Sequence, residues 1–145
     1  MPLAHLNLLR GHSREQLREV VQQVSSAMAR VLDAPADRLE VWITEVDPDL
    51  WGVSGVPASE LLRTQPMSAV EMPFVQLALL QGRPLAQHHA LIGEITEILV
   101  RVLGSQRDRI RVHSSDADPD KWGIGGQPAS VRRAAEIAAR RAGGG

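Results

Sequence analysis

The chain is written twice. Displaced by 71 residues, the sequence falls on itself, with Pro2 on Pro73, Leu8-Leu9 on Leu79-Leu80, Gly11 on Gly82 and Gln16 on Gln87. The agreement continues through Arg30 and Arg101, Asp37-Arg38 and Asp108-Arg109, and Val41 and Val112. It is densest at the end of each copy. There Asp47-Pro48-Asp49, Trp51-Gly52, Gly55 and Pro57-Ala58-Ser59 recur as Asp118-Pro119-Asp120, Trp122-Gly123, Gly126 and Pro128-Ala129-Ser130. Unrelated segments do not share so many residues in one register, so a unit of about 60 residues has been duplicated. The copies occupy 1–60 and 73–130. Residues 61–72 join them, with Pro66 and Ser68 as loop signals, and 131–145 remain as a tail.

Each copy reads as strand, helix, strand and glycine-rich hairpin. Leu3 to Leu9 and Phe74 to Leu80 are short apolar runs beside Gly-containing turns, as expected of strands buried on both faces. Leu17, Val20, Val21, Val24, Met28 and Val31 then fall at helical spacing, behind a Ser13-x-x-Gln16 capping box. The second copy repeats the stripe with Leu91, Ile92, Ile95, Ile98, Leu99 and Val102. Pro84 suits its first turn and Gly104 its C-terminal cap. Leu39 to Glu45 and Ile110 to Ser115 are the second strands. A strand, helix and strand of these lengths form a right-handed crossover with parallel strands. Two copies together make an α/β (α+β) fold: tandem β-α-β units in one four-stranded mixed sheet with two helices on one face. The other sheet face then needs a cover, which argues for oligomerisation.

Composition excludes several functions. There is no cysteine, so neither a disulfide framework nor thiolate chemistry is available. A net charge of −1 and an aromatic content of 3% offer neither a basic footprint nor stacking rings for nucleic acid. Arginine supplies all but one of the 16 basic residues, a bias that genomic base composition explains. No apolar run reaches the ~20 residues of a membrane span, and Met1-Pro2-Leu3-Ala4-His5 lacks a secretion pattern, so the cytoplasm is expected. His5, His12, His88, His89 and His113 do not have the spacing of a metal set, and His88-His89 is expected on the exposed side of its helix. The acidic clusters beside the hairpins read as Asp-Pro turns. Gly52-x-x-Gly55 and Gly123-x-Gly125-Gly126 precede no helix as a phosphate cradle would, so they read as hairpin glycines.

A proline directly after the initiator, a strand-helix-strand unit and an aromatic-Gly hairpin form a combined pattern. Together with Leu32-Asp33-Ala34-Pro35, Ile43-Thr44-Glu45 and Trp122-Gly123-Ile124-Gly125-Gly126, it resembles the tautomerase superfamily, in particular a fused, tandem form of 4-oxalocrotonate tautomerase. The resemblance covers residues 2–60 and 73–130. It implies an isomerase without metal or cofactor that moves a proton in 2-hydroxydienoate or enol forms of 2-oxo acids or dicarboxylates. Removal of Met1 exposes the secondary amine of Pro2, whose pKa falls in an apolar, arginine-lined pocket toward the working pH of a general base. Pro73 is a tertiary amide within the chain and has no such lone pair.

The copies diverge to match. The resemblance implies an arginine after the first strand, another in the second strand and an aromatic residue in the hairpin. These positions hold His12, Glu40 and Trp51 in the first copy, but Arg83, Arg111 and Trp122 in the second. Pro2 is thus expected to meet Arg83 and Trp122 of its own chain and Arg111 of a neighbouring chain. Arg83 binds the distal carboxylate, Arg111 the 2-oxo acid end, and Trp122 lowers the local dielectric. Leu80 lines the pocket. Ile124 stands where water-activating relatives carry a carboxylate, which favours isomerisation over hydration. Three fused chains replace a ring of six short units, so a homotrimer with one working site per chain is expected. The alternatives are a hydratase or dehalogenase using Glu40, or an inactive member that keeps the fold alone. The tail from Ala134 reads as a short helix that frays, without a role.

Overall fold

The computed structural model describes residues 2–143; Met1, on whose removal the Pro2 amine depends, and the terminal Gly144 and Gly145 lie outside them. The first copy contains β1 (Leu3–Leu9), α1 (Arg14–Leu32), β2 (Glu40–Val46) and a hairpin of β3 (Gly52–Val53) and β4 (Val56–Pro57), followed by a helical turn, α2 (Ala58–Leu61). A second turn, α3 (Met67–Val70), lies in the join. The second copy contains β5 (Phe74–Leu80), α4 (Leu85–Leu103), β6 (Arg111–Ala117), the hairpin β7 (Gly123–Ile124) and β8 (Gln127–Pro128), then α5 (Ala129–Arg132) and α6 (Ala134–Gly143).

The sheet order is β2-β1-β5-β6. Each copy contributes a parallel pair, and the copies meet where β1 runs antiparallel to β5, Leu3 opposite Ala78 and Asn7 opposite Phe74. The sheet is therefore mixed, as expected. Both helices lie on one face. Ala4 and Leu6 of β1 and Val75, Leu77 and Leu79 of β5 point there, against Val20, Val24 and Met28 of α1 and Leu91, Ile95 and Leu99 of α4. Each of the largest of these contributes roughly 1.5–3 kcal/mol by leaving water. Arg30 with Glu94 and Arg101 with Gln23 clasp the helices on their outer side.

Local chemistry explains the element ends. Ser13 Oγ accepts from Gln16 N–H at 3.1 Å while Gln16 Oε1 accepts from Ser13 N–H at 3.1 Å, which completes the capping box. Gly104 closes α4 at φ 71°, a left-handed cap that glycine adopts without strain. Pro84 is the cap residue before α4, one position ahead of the expected first turn. The second strands start one residue late because Leu39 and Ile110 close short 3-10 turns, donating N–H to Ala36 O and Arg107 O instead of joining the ladder.

Three expectations are corrected. β1 and β5 are not buried on both faces, because their alternate residues His5, Asn7 and Gln76 are polar and face away from the helices, where Leu3, Phe74 and Ala78 are also half-exposed. His88 is buried rather than on the open side of α4: its Nδ1 is hydrogen-bonded to Ser114 Oγ at 2.7 Å, and its Nε2 lies 3.4 Å from Asp116 Oδ1, both on β6. His89 is exposed. The tail does not fray as a free end. α6 docks with Ile137 buried and Glu136 gripped by Arg38.

Candidate functional site

Antiparallel pairing of the two first strands places the start of one copy beside the end of the other's strand. Pro2 leads into β1 opposite the C-terminal end of β5, so Leu80 and the turn that follows it come to Pro2. Pro2 is buried, and its carbonyl accepts from Glu40 N–H at 3.2 Å. Around it, Leu80, Arg83 and Ile124 from the second copy, the Asp33-Ala34-Pro35 segment and Arg38 from the first, and Arg133, Glu136 and Arg140 from the tail line a cavity of about 70 Å³. Four of the six expected site residues thus converge: Pro2, Leu80, Arg83 and Ile124.

The other two do not. Val112 packs into the helix-side core, so alternation turns Arg111 to the opposite face, exposed on edge strand β6. Its Nη1 donates to Asp108 O at 2.6 Å. Trp122 is half-buried at the base of the hairpin, outside the cavity wall. Glu40 is exposed and meets Pro2 through its backbone N–H.

Charge is distributed unevenly in the cavity. Four arginines face two carboxylates, Asp33 and Glu136. Arg83 Nη1 donates to Leu32 O at 2.8 Å and to Gln87 Oε1 at 3.1 Å, which fixes the guanidinium in the cavity wall. Burial, then the charge of Arg140, lower its pKa to about 10 against the opposing pull of Asp33, so it is cationic at neutral pH. Arg38 holds Glu136 through Nη1 at 2.8 and 2.7 Å from its two oxygens, and this bond keeps the Glu136 carboxyl below its ordinary range. Among the described residues, no three His, Asp or Glu side chains gather as a metal set.

The equivalent place in the other half is filled. Pro73 is buried there, beside the end of β1. His12, at the repeat position of Arg83, meets Glu71 of the join, its Nε2 2.9 Å from both carboxylate oxygens, with the two side chains only 6% and 2% exposed. Leu9 N–H donates to the same carboxylate at 2.8 Å. Arg109 Nη2 donates to Val70 O at 2.9 Å and Nε to Glu71 O at 3.2 Å. Met67, Leu61 and Leu62 pack with Leu9, Val53, Ala58 and Val70. At Gly11, whose φ is 143°, a Cβ would stand 2.5 Å from Met67 Cε. Residues 61–72, read from sequence as a loop, are therefore a plug.

Sequence reasoning did not single out Asp33, Arg38, Arg133, Glu136 and Arg140 as site residues, nor Glu71 as the plug's anchor. Arg38 was recoverable, since the repeat pairs it with Arg109. The tail's role was hidden because its residues do not repeat those of the join.

Comparison with known proteins follows these two regions. A family model described as "Tautomerase enzyme" matches residues 2–60 and 73–132. The 2-hydroxymuconate tautomerases of Pseudomonas fluorescens and Pseudomonas putida are each 48% identical over 63 residues, which is their whole length and 43% of this chain. Among solved structures, a fused 4-OT described as a wild-type asymmetric trimer is 27% identical, with a TM-score of 0.78 over 90% of this chain and 98% of that one. A native fused 4-OT matches with the same identity and TM-score over 89% and 97%.

Proposed function

The chain belongs to the tautomerase family of enzymes, and from that premise we propose that it moves a proton within 2-hydroxydienoate or enol forms of 2-oxo acids, with the amine of Pro2 as the base. The observation that carries this reading is the burial of Pro2 in a cavity it shares with Leu80, Arg83 and Ile124. Once Met1 is removed, Pro2 has a secondary amine. Apolar neighbours and surplus positive charge both disfavour its ammonium form, so the free base is populated near neutral pH. The amine takes the proton of the substrate's hydroxyl, and the resulting ammonium returns one to a carbon of the conjugated system. The substrate is isomerised, the amine is regenerated, and no cofactor or metal takes part.

Arg83 binds the distal carboxylate, for which a planar fork of donors is suited. Arg111 of a neighbouring chain reaches the 2-oxo acid end and stabilises the negative charge that develops there. This accounts for its position on an exposed edge strand, away from its own cavity. Trp122 shields the completed site. Assembly as a homotrimer buries the open sheet face, and fused relatives are described as trimers. Each chain then has one working site, because Pro73 has no free amine and the join plugs its surroundings.

The test follows the ultraviolet change as 2-hydroxymuconate ketonises. Pro2→Ala, Arg83→Ala and Arg111→Ala are expected to lose roughly 10²–10⁴-fold in kcat/KM, whereas Glu40→Ala stays within about twofold. Equal losses in all four would overturn the assignment, and an intact mass that retains Met1 would remove the base.

A further inference from the structure

The chain covers its two equivalent half-sites with segments of opposite character. In the repeat, residues 61–72 and 132–143 correspond: Leu62 to Arg133, Gln65 to Glu136, Ala69 to Arg140 and Glu71 to Ala142. The join covers the first of these places with apolar side chains and brings its own carboxylate, that of Glu71, to the strand-end N–H of Leu9 and to His12. The tail covers the second with Arg133, Glu136 and Arg140, and Ala142, which stands at the offset of Glu71, is exposed and brings no carboxylate to the cavity. Leu80 and Arg83, the counterparts of Leu9 and His12, are left facing a small cavity and a second guanidinium.

Like charges are not brought together in a half-buried cavity without cost. Arg140 Cδ lies 4.0 Å from where a Cβ on Gly82 would stand, one residue from Arg83. Glu136 is already held by Arg38. A volume of about 70 Å³ suits a carboxylate-sized end of a ligand rather than a whole six-carbon acid. The half that carries its own anion shows what such a group would meet in the open half.

We propose that Arg140, on a tail beyond the family match, is a specificity-determining residue that shares with Arg83 the distal carboxylate of a dicarboxylate substrate. The inference rests on the tautomerase reading above and deepens it. Arg140 takes no part in proton transfer; it selects diacids over monoacids.

The experiment compares wild type, Arg140→Ala and Arg140→Lys on the diacid 2-hydroxymuconate and on a monoacid, 2-hydroxypenta-2,4-dienoate. For Arg140→Ala the KM of the diacid is expected to rise about tenfold, or about 1.4 kcal/mol, with kcat within about twofold. The KM of the monoacid should be unchanged, and lysine should restore most of the loss. An equal rise for both acids, which marks a merely structural tail, overturns the proposal, as does no rise for either. If wild type turns over neither acid, the tautomerase reading fails, and calorimetric titration with adipate and hexanoate decides the role of Arg140 separately. Adipate binding weakened about tenfold with hexanoate unchanged supports it; equal changes, no change, or no adipate binding by wild type overturn it.

Discussion

At the scale of single residues, duplication has left two histories side by side. Where Arg83 faces a cavity, its counterpart His12 is locked to Glu71 with both side chains almost fully buried. A buried carboxylate that loses a donor is costly, so His12→Ala should lower stability by about 1–3 kcal/mol. Because the locked pair lies in the half without a free amine, kcat/KM should stay within about twofold. Urea unfolding and steady-state rates on the same preparation check both halves of this expectation. Pro2 and Pro73 differ even more sharply: identical residues in equivalent, buried places, of which only one can ever be an amine.

At the scale of elements, α6 is the piece that turns an open groove into a cavity. Ile137 anchors it by burial, and Arg38 holds it through Glu136. The Glu136 carboxyl lies below its ordinary value of 4.5, chiefly through that hydrogen bond. A depressed carboxylate contributes stability that is fully present above the unfolded value and lost as pH falls through the folded one. Exposure of the pair keeps the contribution small, so the expected effect is local loosening of the tail. Amide exchange measured across acidic pH should show protection of residues 134–143 falling before that of α1 or α4. Glu136→Gln should show the weaker protection already at neutral pH. A tail whose protection is the same in both proteins at every pH would mean that Ile137 alone holds it.

At the scale of the whole molecule, one side of the sheet is finished and the other is not. On the open face Trp42 is 37% exposed and stacks on His5 at 4.7 Å between ring centroids, with Leu3, Phe74 and Ala78 half-exposed on the same face. That mixture of apolar and polar groups suits contact with further copies of the chain. A charge at its edge should be poorly tolerated there, so Trp42→Glu is expected to shift the proposed trimer to monomer in sedimentation. Activity should fall with it if Arg111 serves a neighbouring site as proposed. A trimer that persists with unchanged activity would mean that the chains meet elsewhere.

Much of this protein follows from its sequence alone. The 71-residue repeat, the helical stripes, the capping box and the left-handed glycine at 104 are local or periodic signals, decided by backbone geometry and by which side chains avoid water. They are enough for the β-α-β units and their mixed sheet, and the resemblance they support singles out Pro2 and Arg83, which the fold brings to one cavity. Which face of α4 takes His88 was decided by β6, whose Ser114 and Asp116 lie far away in the chain. The plug formed by Glu71 and the cationic roof carrying Arg140 were likewise decided only by tertiary structure. Their residues have no periodicity and acquire a role only through charges and hydrogen-bond donors that the antiparallel meeting of the two copies brings within reach.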